Sequence, residues 1–181
     1  MSHSTPPSTS IRLTQAASIL LSSLASGGGV ALSALLVPRL LESPTPLMLR
    51  QWANSHRVTR AVFPALGNLS TALYLGLAYA HRARARGLGL YLSAGALCLA
   101  VTPYTWAFVL PLNRRILRKA EEMRGLEGKG TEEVDAMGLE EEGVGPKEEG
   151  AKWLVDQWGV WNLGRGVAWG LAAMLGLAAT V

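Results

Sequence analysis

The sequence predicts an all-α membrane four-helix bundle with a disordered acidic loop between the third and fourth helices. Its apolar residues lie in long blocks instead of at amphipathic spacing, which favours a bilayer as the surrounding medium. Three blocks contain no Lys, Arg, Asp or Glu, and they extend over Leu13–Val37, Ala61–Ala80 and Gly87–Asn113. Each block meets the need for about 20 apolar residues to cross about 30 Å of hydrocarbon. A helix satisfies its own backbone hydrogen bonds there, so each block is predicted to be one transmembrane helix.

The first helix is predicted from about Ile11 to Leu41. Residues 1–10 are mainly Ser, Thr and Pro, a composition that cannot bury a core, and they should form a disordered cap. A cleavable signal peptide is the alternative, but the apolar run continues to Val37, which is too long for a signal-peptide core. Pro38 should stop or kink this helix near its end.

The remaining spans follow from the same reasoning. A short interfacial helix, Leu47–His56, is expected ahead of the second span, which begins near Arg60 and carries Pro64 in its first turns. The hairpin His81–Arg86 is short and basic, so the second and third helices should be antiparallel neighbours. The fourth run, Trp158–Val181, contains one charged residue and still has the length of a span.

The predicted organisation is a cap at 1–10, three transmembrane helices with interfacial segments at 11–124, an acidic loop at 125–150 and the fourth transmembrane helix at 151–181. The loop is rich in Gly, Glu and Lys and poor in large apolar residues, which is typical of disorder. A solvated linker is the favoured interpretation of this loop. A docking segment for a partner protein is the alternative.

The net charge of +4 does not indicate nucleic-acid binding, because acidic and basic residues lie in different places. All acidic residues except Glu42 lie between Glu121 and Asp156, whereas arginines flank the apolar runs, where they meet lipid phosphates. The expected partner of these arginines is the lipid bilayer, with no nucleic acid. The one cysteine, Cys98, lies within an apolar run and the three histidines are far apart in sequence, so we expect no metal site.

Polar and aromatic residues of the fourth helix recur at spacings of four, three and four, which places them on one face. They are Trp158, Asn162, Arg165 and Trp169. An intramembrane arginine costs about 2.5–3.5 kcal/mol on insertion scales unless it is paired or snorkels. Arg165 is therefore predicted either to snorkel to the interface or to stabilise an anion held by the bundle.

The third helix repeats this spacing with Thr102, Trp106, Val109 and Asn113. If the two faces meet inside the bundle, an arginine, two asparagines, a threonine and several indoles line one cavity. Trp106 and Trp169 lie deeper in their spans, where they would suit an aromatic wall against which a flat ligand stacks, and an interfacial belt is the alternative for both.

Two further predictions concern residues near the membrane boundaries. Interfacial belts use tryptophan routinely, and a belt is the favoured interpretation of Trp52, Trp153 and Trp158. His56 lies beside Arg57 and Arg60, which should lower its pKa and keep it neutral and available as a base. A solvated interfacial histidine without a role is the favoured interpretation of His56, and a catalytic base is the alternative.

Three segments resemble the anthrone oxygenase family, small multi-pass membrane proteins of fungal polyketide pathways. These are Gln51-Trp52 with Pro64 downstream, Thr102-Pro-Tyr-Thr-Trp106 leading to Pro111-Leu-Asn-Arg114, and Trp158 followed by Asn162 and Arg165. Ser33 and Pro38 in the first helix also fit, so the resemblance covers most of the chain outside the acidic loop. The segment after Trp52 departs from the family, which more usually has an aromatic residue followed by glycine there.

The resemblance implies oxidation of an anthrone-type polyketide to an anthraquinone by dioxygen, with no flavin, haem or metal cofactor. An anthrone that loses its benzylic proton becomes an electron-rich enolate that can pass an electron to oxygen, so the protein need supply only a base and a charge partner. On this hypothesis the catalytic residues are Arg165, Asn162, Asn113 and the base His56. The substrate-binding residues are Trp106, Trp169, Trp158, Thr102, Thr105 and Trp52.

A function of another class also fits the sequence. A non-catalytic membrane scaffold or anchor would recruit biosynthetic enzymes through the acidic loop. A transporter is disfavoured, because the spans carry no acid for ion coupling and show no inverted repeat. The expected partners are thus a small aromatic polyketide, dioxygen and the bilayer, with a homo-oligomer or pathway enzymes as further candidates, in an endomembrane such as the endoplasmic reticulum.

Overall fold

The computed structural model describes residues 8–126 and 150–181, and these residues are helical apart from short turns. Residues 1–7 of the predicted cap and residues 127–149 of the predicted acidic loop lie outside the described residues. The prediction of a disordered cap was wrong for Thr9 and Ser10, which form the start of the first helix. The prediction of an all-α fold is confirmed, since the described residues contain four helices and no strand. Helix α1 comprises Thr9–Ala31, a π-helical turn at Leu32–Leu36 and Val37–Leu41. Helix α3 is built in the same way from Ala85–Tyr104, a π-helical turn at Thr105–Val109 and Leu110–Leu126. Helices α2 and α4 are Thr45–Ala80 and Ala151–Ala178.

Three of these helices are long and apolar enough to cross a membrane, namely Thr9–Leu41, Thr45–Ala80 and Ala85–Gly125. They contain the three charge-free runs of the sequence. Helix α4 has 28 residues, a length of about 42 Å at 1.5 Å per residue. Asn162 and Arg165 lower its mean hydropathy, and its membrane crossing stays a prediction.

Helix α2 is longer than the sequence suggested. The predicted interfacial helix Leu47–His56 and the second span form one continuous helix, Thr45–Ala80, so their separation into two elements was wrong. No glycine or proline lies between His56 and Arg60 to interrupt the backbone hydrogen bonds.

Both π-helical turns end two residues before a proline. Leu32–Leu36 precedes Pro38 and Thr105–Val109 precedes Pro111, each with one residue between. Proline donates no backbone hydrogen bond, and its ring crowds the carbonyl four residues earlier. A wider π-turn at this point rearranges the bonding around that carbonyl, so the helix continues past the proline. Pro38 therefore does not stop α1, which runs on to Leu41, and the predicted distortion takes the form of a change in winding.

The described residues form two compact units, each of which contains a segment of all four helices. The first unit contains the residues up to Gly28 together with Phe63–Pro103 and Gly166–Val181. The second unit contains Gly29–Val62 and Tyr104–Arg165.

The first unit packs small residues against tyrosines. Tyr74 of α2 and Tyr91 of α3 are fully buried. The Tyr74 hydroxyl hydrogen-bonds Ser22 of α1 at 2.9 Å, and the Tyr91 hydroxyl accepts a hydrogen bond from Nε2 of Gln15 at 2.7 Å. Gly176 of α4 faces the Tyr74 ring, where an added Cβ would come within 2.6 Å of the hydroxyl. Small residues let helices approach closely, so the buried polar groups can pair between helices.

The predicted hairpin between α2 and α3 is confirmed within this unit. Residues 81–84 form the turn, and Nδ1 of His81 donates to the carbonyl of Leu77 at 2.9 Å. Beyond the turn, Gly95 of α3 lies against α2, since an added Cβ there would stand 3.0 Å from Cδ2 of Leu75. The two helices are therefore antiparallel neighbours.

The second unit has an apolar core to which all four helices contribute. Helix α4 approaches α1 closely at Gly159, where an added Cβ would lie 3.1 Å from the methyl groups of Val37. The candidate site residues lie within and beside this core. The core residues are Val37, Leu40, Met48, Leu49, Trp52, Ala53, Val109, Leu112, Ile116, Ala120, Ala151, Leu154, Val155 and Trp158.

Candidate active site

The buried amide of Asn162 holds the Arg165 side chain inside the second unit. Asn162 has no exposed surface. Its Nδ2 donates to the carbonyl of Gly29 at 3.0 Å and to the hydroxyl of Ser33 at 2.9 Å. Both amide hydrogens are thus used by acceptors on α1, and the amide oxygen accepts a hydrogen bond from Nη2 of Arg165. Arg165 is partly buried, so its guanidinium does not lie in bulk solvent.

Burial along α4 follows the predicted face. Trp158, Asn162 and Trp169 are 3%, 0% and 2% exposed. The four-three-four spacing therefore predicted the buried side of this helix correctly.

An aromatic stack in the second unit joins α2 to α4. The ring of His56 stacks on that of Trp52, one turn earlier on α2, with centroids 4.9 Å apart and planes 10° apart. Trp158 of α4 meets Trp52 edge-on, with centroids 5.5 Å apart and planes 85° apart. Both indoles belong to the core of the unit. The interpretation of Trp52 and Trp158 as an interfacial belt was therefore wrong, because belt residues lie on the surface at headgroup level.

Three buried polar atoms of this unit have no hydrogen-bond partner among residues 8–126 and 150–181. They are Nε1 of Trp52, Nε1 of Trp158 and Oδ1 of Asn113. A buried polar group without a partner costs about 1–3 kcal/mol, and in native structures a bound ligand or water commonly supplies the partner. Two of these atoms are donors and one is an acceptor. A ligand that carries both carbonyl and hydroxyl groups would match them.

His56 lies on α2 ahead of the charge-free run Ala61–Ala80, and this run alone has the roughly 20 residues that a membrane crossing needs. Its pKa is lower than the ordinary value of 6.5, first because the ring is buried, then because of the charges of Arg60 and Arg165. The predicted effect of a neighbouring arginine is confirmed for Arg60, but the second cation is Arg165 and not Arg57. The second unit therefore places a neutral imidazole within electrostatic reach of the Arg165 guanidinium.

A cavity of about 140 Å³ opens beside His56. Helices α2 and α3 supply its walls. Cationic side chains predominate among the polar lining residues. The lining residues are Ala53, His56, Arg57, Arg60, Leu117, Ala120, Glu121 and Arg124.

Helix α3 does not present the predicted face. Val109 and Asn113 are 1% and 8% exposed, but Trp106 is 68% exposed. The π-turn Thr105–Val109 adds a residue to this turn, so α-helical spacing no longer relates the side chains before and after it. The prediction that Trp106 shares a buried face with Val109 and Asn113 was wrong for this reason, and Thr105 is partly buried at this level instead.

Two of the predicted substrate-binding residues belong to the first unit. Trp169 stacks on Phe63 with centroids 5.9 Å apart and planes 12° apart. Gly67 makes room for the same indole, because an added Cβ would lie 3.1 Å from its Cζ2. Thr102 is partly buried in α3. Helix packing within this unit accounts for the position of Trp169.

These positions can be compared with known proteins. The sequence model of the family described as anthrone oxygenase matches residues 52–175. The chain belongs to the anthrone oxygenase family. The matched range begins at Trp52 and contains His56, Asn113, Asn162 and Arg165.

Three fungal relatives of this anthrone oxygenase family member are similar over part of their length. An anthrone oxygenase of Claviceps purpurea (strain 20.1) is 31% identical over 106 residues, which are 57% of this chain and 60% of the relative. Anthrone oxygenase AgnL2 of Paecilomyces divaricatus is 30% identical over 129 residues, 68% of this chain and 78% of the relative. Anthrone oxygenase nsrD of Aspergillus novofumigatus (strain IBT 16806) is 32% identical over 104 residues, 56% of this chain and 64% of the relative. The chain thus spans less than two thirds of the first and third relatives, and no solved structure matches it.

Sequence reasoning missed the part played by Tyr104. Its hydroxyl donates to the carbonyl of Trp161 at 2.9 Å. Gly164, directly before Arg165, makes room for this ring, because an added Cβ would lie 2.9 Å from its Cζ. Tyr104 lies inside the family motif Thr102–Trp106, and a glycine beside Arg165 was a signal for a close neighbour. Ser33, noted only for its fit to the family, is the acceptor that orients Asn162.

Proposed function

We propose that the protein oxidises an anthrone-type polyketide to the corresponding anthraquinone with dioxygen and without a cofactor. One observation carries the proposal: a single unit brings together the imidazole of His56, the buried indoles of Trp52 and Trp158, and the guanidinium of Arg165. Membership of the anthrone oxygenase family supports the reaction class.

In the first step the protein removes a proton from the methylene carbon opposite the anthrone carbonyl. His56 is the proposed base. Because burial and Arg60 lower its pKa, the imidazole is neutral at neutral pH and can accept a proton. The electron pair of the broken C–H bond enters the ring system and becomes an enolate with charge on the carbonyl oxygen.

In the second step the enolate passes one electron to dioxygen, and the resulting carbon radical and superoxide combine to form a C–O bond. The peroxide takes a proton from the imidazolium of His56. Loss of the remaining methylene proton with cleavage of the O–O bond releases water and forms the second carbonyl. One anthrone and one dioxygen thus give one anthraquinone and one water. Arg165 stabilises the enolate oxygen and the peroxide through its positive charge.

The unpartnered polar atoms supply the proposed substrate contacts. The indole N–H groups of Trp52 and Trp158 can donate to a carbonyl or phenol oxygen, and Oδ1 of Asn113 can accept from a phenol hydroxyl. Preorganised donors of this kind stabilise charge that develops on oxygen. The proposal therefore assigns the aromatic contact to Trp52 and Trp158, in place of the exposed Trp106.

The cofactor-free character of the proposal rests on the substrate. The anthrone enolate is itself the reductant of dioxygen, so its oxidation has a complete electron balance. Within the described ranges of the chain, no three His, Cys, Asp or Glu side chains are grouped to hold a metal ion.

The test is quinone formation by purified protein. Emodin anthrone is incubated under air with the detergent-solubilised protein, and quinone absorbance and oxygen uptake are followed against a boiled sample. The expected result is one oxygen consumed per quinone, well above the boiled rate. Equal rates in the two samples would refute the proposal.

The charge partner is tested with Arg165→Leu. Removing one stabilising donor from an oxyanion typically costs about 10²–10³ in rate, and a loss of that order is expected. Arg118→Leu is the matched control, because Arg118 is an exposed arginine on α3 that pairs with Glu122 at 3.8 Å. Equal activity of the two variants would remove Arg165 from the mechanism.

The scaffold alternative is tested by deleting residues 125–150, most of which lie outside the described residues. An enzyme should retain quinone formation without this segment, whereas a scaffold should lose its co-purifying pathway enzymes. No contact of the described residues favours the scaffold over the oxygenase.

A further inference from the structure

The cavity beside His56 has a cationic rim. Arg57 and Arg60 of α2 and Arg124 of α3 line it together with one acid, Glu121. Within residues 8–126 and 150–181, none of these three guanidinium groups has an ion-pair partner. The rim therefore carries an excess of positive charge that an anion can neutralise.

The inner wall of the same cavity is apolar and aromatic. Ala53, Leu117 and Ala120 contribute apolar surface. The imidazole of His56 completes this wall and is backed by the stacked indole of Trp52. A ligand with a flat apolar body and an anionic group would satisfy both the wall and the rim.

The size of the cavity indicates a subsite and not a complete binding site. Its volume is about 140 Å³, whereas pockets that hold a whole drug-sized ligand have about 300–1,000 Å³. One ring with its anionic substituent is of the appropriate size. The remainder of a larger aromatic molecule would extend past His56.

We propose that this cavity is an anion subsite that binds a carboxylate on the aromatic substrate. The inference rests on the proposed function and deepens it, since it makes a carboxylated anthrone the preferred substrate class. Arginine suits this task because its planar guanidinium can bind both oxygens of a carboxylate with two parallel hydrogen bonds. A carboxylate bound at the rim would hold the adjacent rings against His56, the proposed base.

A lipid phosphate shares the anionic chemistry of a carboxylate, since arginine at a membrane boundary also binds headgroups. The two sources differ in what lies beside the anion. A substrate carboxylate is attached to a flat ring that contacts Ala53, Ala120 and His56, whereas a phosphate is attached to glycerol. The experiment therefore includes both kinds of ligand.

The test measures binding and not turnover. Anthraquinone-2-carboxylate and 2-methylanthraquinone, which are already oxidised, are titrated into the detergent-solubilised full chain, and quenching of tryptophan fluorescence gives the two dissociation constants. The wild-type protein should bind the carboxylate more tightly, by roughly tenfold for one charge-assisted interaction. Dihexanoyl phosphatidic acid is added as the competing phosphate.

The variants are Arg124→Gln, Arg124→Lys and the matched control Arg118→Gln. Arg124→Gln should reduce the preference for the carboxylate roughly fivefold to tenfold. Arg124→Lys should restore part of it, and Arg118→Gln should leave it unchanged. Three results would overturn the proposal. The wild type could show no preference for the carboxylate, or Arg124→Gln and Arg118→Gln could show equal preferences. Phosphatidic acid could also abolish the preference at concentrations below that of the quinone.

The outcomes separate this inference from the proposed function. Failure to oxidise any anthrone, with the carboxylate preference intact, would reject the oxygenase proposal and retain the anion subsite. Turnover of neutral anthrones without any carboxylate preference would reject the subsite alone.

Discussion

Replacing Asn162 with Leu should destabilise the protein, because this change removes three hydrogen bonds at nearly constant volume. Two are neutral bonds to Gly29 and Ser33, and the third holds the charged Arg165. Neutral bonds contribute about 0.6–1 kcal/mol each and a bond to a charged group about 1.5–3 kcal/mol. The expected loss is therefore about 2.5–5 kcal/mol, or roughly 5–20 °C in melting temperature for a chain of this size.

The assay is thermal unfolding in detergent, followed by tryptophan fluorescence. Asn68→Leu is the matched control, since Asn68 is an exposed asparagine in the charge-free run of α2, and its replacement should change stability by no more than about 0.5 kcal/mol. The double variant Asn162→Leu with Arg165→Leu should lose less than the sum of the single losses, because both single changes remove the same hydrogen bond between Asn162 and Arg165. Similar melting temperatures for Asn162→Leu and Asn68→Leu would refute the assigned bonds.

Three further predictions follow from packing and charge. Gly164→Ala should cost about 1–3 kcal/mol through overpacking against Tyr104, and Tyr104→Phe should relieve much of this cost in a double-mutant cycle of melting temperatures, because the hydroxyl makes the tightest contact. Gly176→Ala should cost a similar amount of stability, but Tyr74→Phe should relieve less of it. The reason is that a ring carbon of Tyr74, Cε1, would also stand 2.7 Å from the new Cβ. Equal relief in both pairs would contradict this distinction. The pKa of His56 is lower than the ordinary histidine value of 6.5, so the ring stays neutral at pH 6.5 and turnover should fall only at more acidic pH. A pH–rate profile with its midpoint above 6.5 would exclude His56 as the base. A profile that His56→Gln leaves unaltered would exclude it as well.

Helix content and one buried face could be predicted from the sequence because each depends on local periodicity. Charge-free runs give three spans, and the spacing of Trp158, Asn162 and Trp169 gives the buried side of α4. Along α3 the same method fails at Trp106, since a π-turn precedes Pro111 and shifts the register. Proline in the sequence signals a distortion, but its form depends on how the surrounding helices pack.

The site itself could be predicted only in part. The importance of Arg165 follows from the cost of a charge in hydrocarbon. Other features depend on tertiary packing and cannot be predicted from residue spacing. Asn162 donates to Ser33, which is far away in the chain, and the pKa of His56 is lowered by the charge of Arg165. The stacking of His56 on Trp52 is a further example. The cationic cavity was missed because Arg57 and Arg60 of α2 are far from Arg124 of α3 in the chain, and only the packing of the two helices brings them together.

The role proposed for Arg165 is catalysis and not only substrate binding. The amide oxygen of Asn162, a neutral dipole, accepts a hydrogen bond from the Arg165 guanidinium. A cation so held interacts weakly with a neutral anthrone and strongly with the enolate, because Coulomb attraction is larger where water is excluded. Since only interactions that strengthen toward the transition state accelerate a reaction, such a guanidinium would make the methylene proton more acidic.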